Sequence, residues 1–388
     1  MEFHSALAET ADLEEACDAV ASDVLRQLGD GRVDLAMVFA SSSYGAALER
    51  LPVMLHERLA IGTLAGCTGD ALLHHSSMCQ GRPGLALLVG RFPGATVTST
   101  RLQNADLPHP DAPPSAWRAL LPEGTDAQPL RGLVVLGEPF HCDMRALLAG
   151  LDFAFAALPK VGGLASGSRH PDGNALFSGR QTMHSGAVLV SFAGDVDVQA
   201  VVSQGCRPIG KVGHITTADR NRLVRVDDRP VKQFIEEQLA TLPADEPMLS
   251  DGVPLFLGIA SDPFTTQEPA AGDFLVRNVL GIDERGGLVV GEHLTAGRAI
   301  QLHVRDGRSG LLDLERQLQH GRVEDAAAGL MFRCIGRDGD DHSEFARLAP
   351  DVPLVGCTCN GEIGPVGNTT HLHGYTASCL LLRERAPR

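Results

Sequence analysis

The sequence predicts an α/β protein of mixed α and β layers, in two domains built from related β-α-β-β units. Three observations carry that expectation. The run Leu354-Val355-Gly356-Cys357-Thr358-Cys359-Asn360-Gly361-Glu362 is echoed at Leu64-Ala65-Gly66-Cys67-Thr68-Gly69-Asp70, and in diverged form at Lys160-Val161-Gly162-Gly163-Leu164-Ala165-Ser166. Around each copy the order is the same: an apolar run, a linking segment, the small-residue turn and a closing apolar run. Finally, 388 residues of which 44% are apolar exceed one ordinary core and can fill two.

The elements follow in order. Residues 1–29 read as an N-terminal helix, with Asp12 as cap and Glu15 completing a capping box. Leu13, Ala16, Cys17, Val20, Val24 and Leu28 lie at helical spacing, and Gly29 stops it. The first unit opens at Asp34–Ala40. It continues through a helix-like stretch carrying Leu48, Leu51, Leu55 and Leu59, turns at Gly66 and closes at Leu85–Val89. Residues 104–130 contain six prolines and read as a surface connection. The second unit starts at Leu133–Leu136. Met144, Leu147, Leu148, Leu151 and Phe155 mark its helix, Val161-Gly162-Gly163 its turn and Ala187–Phe192 its closing strand.

A helix begins after Pro230, with Val231, Phe234, Ile235, Leu239 and Leu242 as its stripe. Glu284-Arg285-Gly286-Gly287 reads as a hairpin turn between Leu280-Gly281-Ile282 and Leu288-Val289-Val290. Leu311, Leu314 and Leu318 mark another helix, stopped at Gly321. The third unit runs from Gly329–Phe332 through Val355-Gly356 to Ala377–Leu382. A boundary near residue 225 separates segments 30–225 and 226–388.

Composition limits the function classes. Aromatic residues are only 4% of the chain, too few for base-stacking platforms. A net charge of −15 argues against nucleic acid or an anionic membrane as main partner. No run of eighteen apolar residues and no charged-then-apolar leader is present, so a soluble, cytoplasmic protein with no membrane insertion is expected. Nine cysteines without framework spacing fit reduced thiols.

Four strings carry a family resemblance: Val161–Ser166; Val202-Ser203-Gln204-Gly205-Cys206-Arg207-Pro208-Ile209-Gly210; Phe274-Leu275-Val276-Arg277-Asn278-Val279-Leu280-Gly281; and Cys359–Pro365 with His373-Gly374. Together they resemble the FIST family of F-box and intracellular signal-transduction proteins, in its stand-alone bacterial form. The likeness covers roughly residues 30 to 385, making 30–225 the FIST N and 226–388 the FIST C segment. No residues remain for an F-box, kinase, cyclase or methyl-accepting segment, so a stand-alone sensory module is expected.

The resemblance implies a small-molecule-binding sensor, its ligand an amino acid or related metabolite. Its output would pass through a signalling protein such as a histidine kinase or cyclic-nucleotide enzyme. Two alternatives stay open: a haem-binding nitric-oxide sensor regulating a histidine kinase, and a ligand-free interaction adaptor.

Candidate ligand-binding residues are Gly163, Ser203, Gln204, Cys206, Arg207, Arg277, Asn278, Asn360, Gly361, Glu362 and His373. Gly205 lets backbone approach a ligand, Gln204 offers donor and acceptor, and Arg207 suits a carboxylate. Glu362, in a small and apolar setting, needs a partner. Arg207 or Arg277 is the one expected, unless the carboxylate holds a ligand's ammonium group. Haem would need an axial ligand, for which His184, His214 and Cys206 are the candidates. No catalytic residues emerge, and an enzyme is not expected. Cys357-Thr358-Cys359 is not a zinc spacing, His371-Leu372-His373 lacks an acidic ligand pattern, and there is no Walker loop.

Overall fold

A computed structural model describes residues 1–29, 31–122, 128–243, 255–261 and 271–385. The first unit comprises β1 (Glu2–Ala8), α1 (Leu13–Leu28), β2 (Val33–Ser41), α2 (Leu51–Arg58) and β3 (Ile61–Gly69). It continues with β4 (Ala71–His74), β5 (Ser77–Gln80), β6 (Leu85–Arg91) and β7 (Ala95–Leu102). After α3 (Pro114–Arg118) the second unit repeats the pattern with β8 (Leu130–Gly137), α4 (Met144–Ala154) and β9 (Lys160–Leu164). Strands β10 (Leu176–Ser178), β11 (Gln181–Met183), β12 (Ala187–Gly194) and β13 (Val196–Gln204) complete it.

An insertion follows, made of β14 (Cys206–Asp219), β15 (Arg222–Val226), β16 (Arg229–Pro230), α5 (Val231–Leu239) and β17 (Leu255–Ala260). Its remaining strands are β18 (Phe274–Ile282), β19 (Leu288–Val290) and β20 (Ala299–Arg305). The third unit then runs through α6 (Gly307–His320), β21 (Ala328–Cys334), α7 (Asp341–Leu348) and β22 (Leu354–Cys359). It ends with β23 (Glu362–Val366), β24 (Thr369–His373) and β25 (Thr376–Glu384).

The three units share one plan. In each, two strands lie parallel across a helix (β2 with β3, β8 with β9, β21 with β22) and a third returns antiparallel beside the first (β6, β12, β25). The turn glycines occupy equivalent places, Gly66 opposite Val38, Gly162 opposite Val135 and Gly356 opposite Met331. At all three, an added Cβ would overlap the partner strand's carbonyl oxygen, so only glycine permits this approach. The duplicated sequence encodes a duplicated geometry.

Each unit also gives its hairpin to a neighbour. Hairpin β4–β5 extends the third unit's sheet at β22, β10–β11 the first unit's at β3, and β23–β24 the second unit's at β9. The strands that leave the first two units cross over as well, β7 to β12 and β13 to β25. Strand β1 takes the corresponding place on β6, and the Met1 amine meets Glu384 of β25 at 3.0 Å, so the ring of units closes between β1 and β25. This corrects the reading of residues 1–29 as helix throughout. Helix α1 starts after Asp12, whose carboxylate accepts from the Glu14 and Glu15 amides, whereas Glu2–Ala8 satisfies the open edge of β6.

The shared core joins Met37 and Phe39, Val134 and Leu136, and Leu330 and Phe332, with Phe39 and Phe332 edge-to-face at 5.8 Å. Helices cover the outer faces of the sheets in separate clusters. The result is a three-lobed α/β body. In the insertion, β14 pairs with both β20 and β15, which closes six antiparallel strands into a barrel. Ile209, Leu257, Leu302 and the α5 residues Val231 and Phe234 fill it. The expected boundary near residue 225 falls inside β15; in space, the described residues between 206 and 305 form the barrel, and 307–385 return to the body.

Candidate functional site

The string Ser203–Gly210 marks where the chain leaves the body. Ser203 and Gln204 end β13, and Cys206 begins β14 opposite Arg305, the last residue of β20. The Ser203 hydroxyl is buried, donating to the Gly310 carbonyl and accepting from Arg337. Gln204 donates from Nε2 to the Phe274 carbonyl at 2.7 Å, and its amide donates to Asp313. Gln204, Cys206, Arg207, Ser309, Asp313 and Pro365 line a small pocket of about 110 Å³. Burial pushes the Cys206 thiol up to about 12.

The expected Arg207–Glu362 pair is not made. Arg207 Nε bonds Asp306 at 3.1 Å across the strands entering and leaving the barrel. Glu362 is fully buried and accepts from the Thr376 amide, its other oxygen having no partner. Burial raises its carboxyl well above the ordinary range, which favours the neutral acid. The buried ion network of this region belongs to residues the sequence did not flag. Arg337 and Arg333 both bond Asp341, and Arg337 also donates to the carbonyls of Ser203, Gly310 and Tyr375.

Other expected residues make contacts within the fold. Gly163 pairs with Glu362 and sits against Cys359; Asn360 donates to the Ala165 carbonyl; the Gly361 carbonyl accepts from Leu164. Asn278 is exposed on β18. His373 is buried, bonds the Gly364 carbonyl, and is pushed by burial down to about 3.

Arg277 lies elsewhere, in a cleft of about 430 Å³ between body and barrel. Helix α4 supplies Arg145, Leu148, Ala149 and Asp152 from one face, spaced at three and four residues. Strand β24 supplies Thr370, His371 and Leu372, and the barrel supplies Arg277 and Glu292. Arg277 Nε donates to Glu292 at 2.9 Å, while burial lowers the arginine below its usual range. Burial works to raise Glu292, but the hydrogen bond and charge of Arg277 outweigh it and hold the carboxylate ionised. Arg145 reaches the other Glu292 oxygen at 3.8 Å. Asp152 accepts from the Thr370 amide and hydroxyl and from Lys160 at 2.8 Å. His371 Nε2 is buried without a partner, and burial lowers the ring to about 4, leaving it neutral.

The cleft is also where the three units differ. Lys160 stands two residues before Gly162, where the other copies have Leu64 and Leu354. It is almost fully buried, and its ammonium is held by Asp152 and the carbonyls of Phe155 and Leu158. The cleft's own lining carries two cations, Arg145 and Arg277, against two carboxylates, Asp152 and Glu292, with Lys160 buried behind Asp152. Paired charges of both signs, with apolar Leu148 and Leu372 beside them, suit a small molecule that carries both a carboxylate and an ammonium group.

The three haem candidates stand apart from one another, each with its own surroundings. His184 uses both ring nitrogens, on the Asn174 carbonyl and Glu49, and His214 stands exposed beside Asp227. Cys206 lines the small pocket beside Gln204, and burial favours its thiol form. Among the described residues, no group of three His, Cys, Asp or Glu side chains is arranged to hold a metal, and no helix is long and apolar enough to cross a membrane.

Comparison with known proteins agrees with the architecture. The FIST N domain model matches residues 34–229 and the FIST C domain model residues 233–365. An uncharacterized protein of Mycobacterium tuberculosis (strain ATCC 25618 / H37Rv) is 29% identical over 383 residues, 95% of this chain and 96% of its own. An uncharacterized protein of Mycobacterium bovis is 34% identical over 260 residues, 64% of this chain and 66% of its own. A crystal structure of a cyanuric acid hydrolase from A. caulinodans covers 99% of both chains at a TM-score of 0.36 and 9% identity, too low to bear on activity. With FIST N matched across the first two units and FIST C across the barrel and most of the third, the chain belongs to the FIST family, whose domains are generally signal-transduction sensors.

Proposed function

We propose that this chain is a cytoplasmic small-molecule sensor whose ligand is an amino acid or related carboxylate metabolite, bound in the cleft on Arg277. Its output passes to a signalling protein such as a histidine kinase or cyclic-nucleotide enzyme. The observation that carries this reading is a cleft of about 430 Å³ walled by both family segments, where the Arg277 guanidinium stands beside Glu292, Asp152 and neutral His371. A ligand carboxylate would meet the Arg277 fork, and an ammonium group would face the two acids. The pocket beside Gln204, at about 110 Å³, falls well below the size of typical ligand sites.

The test is a thermal-shift screen of amino acids and small carboxylates, with mass spectrometry of co-purifying compounds. Losing the charged hydrogen bonds in Arg277→Ala should weaken the best ligand by about ten- to a hundredfold. Arg277→Lys, which keeps a countercharge for Glu292, separates loss of binding from loss of fold. Wild-type affinity in both variants would end the assignment.

A further inference from the structure

We infer that the barrel swings on the body about a two-strand neck, and that occupancy of the cleft sets its angle. This rests on the reading of the cleft as the ligand site and names how that site is coupled to output. The topology makes the neck. Chain enters the barrel at Gly205-Cys206 and leaves at Arg305-Asp306, and these arms lie side by side. Cys206 pairs with Arg305, the Asp306 amide donates to the Gly205 carbonyl at 3.2 Å, and Arg207 bonds Asp306.

On the body side both arms are fixed by one buried side chain. Arg337 donates to the Ser203 and Gly310 carbonyls, just before the first arm leaves and just after the second returns. Tyr375 of the body packs against Phe256 at 4.9 Å and Arg305 at 5.2 Å, so the neck end is a packed fulcrum.

The mouth of the cleft is held differently. Among the described residues, its charged link between body and barrel is Arg145 of α4, which reaches Glu292 at 3.8 Å and the Gly291 carbonyl at 3.3 Å from a side chain 70% exposed. An exposed pair of that kind biases an equilibrium by only about two- to fivefold. A ligand touching Arg277 on the barrel and α4 or β24 on the body has differential affinity for the closed form, and shifts the population toward it. The Ser203–Gly210 string thus forms part of the hinge, and the cleft lies across from it.

The experiment is hydrogen exchange with small-angle scattering on the full chain, comparing wild type with Arg145→Glu, which turns the latch against Glu292. Amides of Thr369–His373 and Leu288–Glu292 should exchange at least two- to fivefold faster in the variant, with a larger radius of gyration and an unchanged body core. Unchanged exchange at both walls and an unchanged radius would overturn the hinge. The same measurements on wild type with and without the best amino acid of the screen separate the two claims. Binding that alters neither wall nor radius defeats the hinge and leaves the ligand site standing. Opening by Arg145→Glu, with no amino acid bound by wild type, supports the hinge and defeats the ligand.

Discussion

Replacing Arg337 by alanine should cost far more stability than replacing Arg207, although the sequence pointed to Arg207. The Arg337 side chain is 1% exposed, bonds Asp341 at 2.9–3.0 Å and donates to carbonyls of Ser203, Gly310 and Tyr375. Its removal leaves Asp341 buried with only Arg333 opposite and three carbonyls short of a donor, which costs about 3–5 kcal/mol. That is a large share of a total stability of about 5–15 kcal/mol. Arg207 and Asp306 are each about 30% exposed, so Arg207→Ala should cost only about 0–1 kcal/mol. Urea unfolding followed by circular dichroism measures both. Equal midpoint shifts in the two variants, or a wild-type midpoint in Arg337→Ala, would refute the assignment of Arg337 as anchor.

Three further outcomes are expected. Gly162→Ala or Gly356→Ala forces a Cβ into a neighbouring carbonyl and should destabilise by about 1–3 kcal/mol or more, whereas Gly374→Ala, with open space around it, should not; equal stability of all three removes the repeat argument. Glu362→Gln should hold or raise the melting temperature at about pH 8, because a carboxyl whose folded pKa is raised stabilises below about 4.5 and loses that contribution as pH rises; a marked drop would mean the ionised form is the one bound. His303 and His371, lowered to about 4, and His373, lowered to about 3, bind fewer protons folded than unfolded. Stability should therefore fall as pH drops from about 6.5 toward 4, and a flat unfolding profile across that window would contradict their burial as neutral rings.

The repeat was legible because its cause is local. Gly66, Gly162 and Gly356 each lie under a carbonyl of the parallel neighbour, and nothing but glycine fits. Helices α5 and α6 and the β18–β19 hairpin were legible for the same reason, through Pro230, the leucine stripe ending at Gly321 and the turn at Arg285-Gly286. The exchange of hairpins was not legible. Leu72 and Leu73 alternate as any buried strand does, and no local property says that they pair with Cys357 and Gly356. Closure of the barrel depends likewise on which edges meet.

For the site, Arg277 was found because its string is distinctive, but Glu292 lies across a hairpin, with no spacing to announce it. Arg145 and Asp152 lie between the apolar positions of helix α4, where spacing alone does not distinguish a cleft wall from a solvent face. Lys160, a lysine in an otherwise apolar strand start, is the residue that marks the buried partner of Asp152 in the sequence.

The most direct measurement is a crystal structure of the full chain grown with whichever amino acid gives the largest thermal shift. The expected result is the ligand carboxylate on the Arg277 guanidinium, between α4 and β24, with the amino group toward Glu292 or Asp152. A ligand seated instead beside Gln204 and Cys206, with the cleft empty, would contradict it.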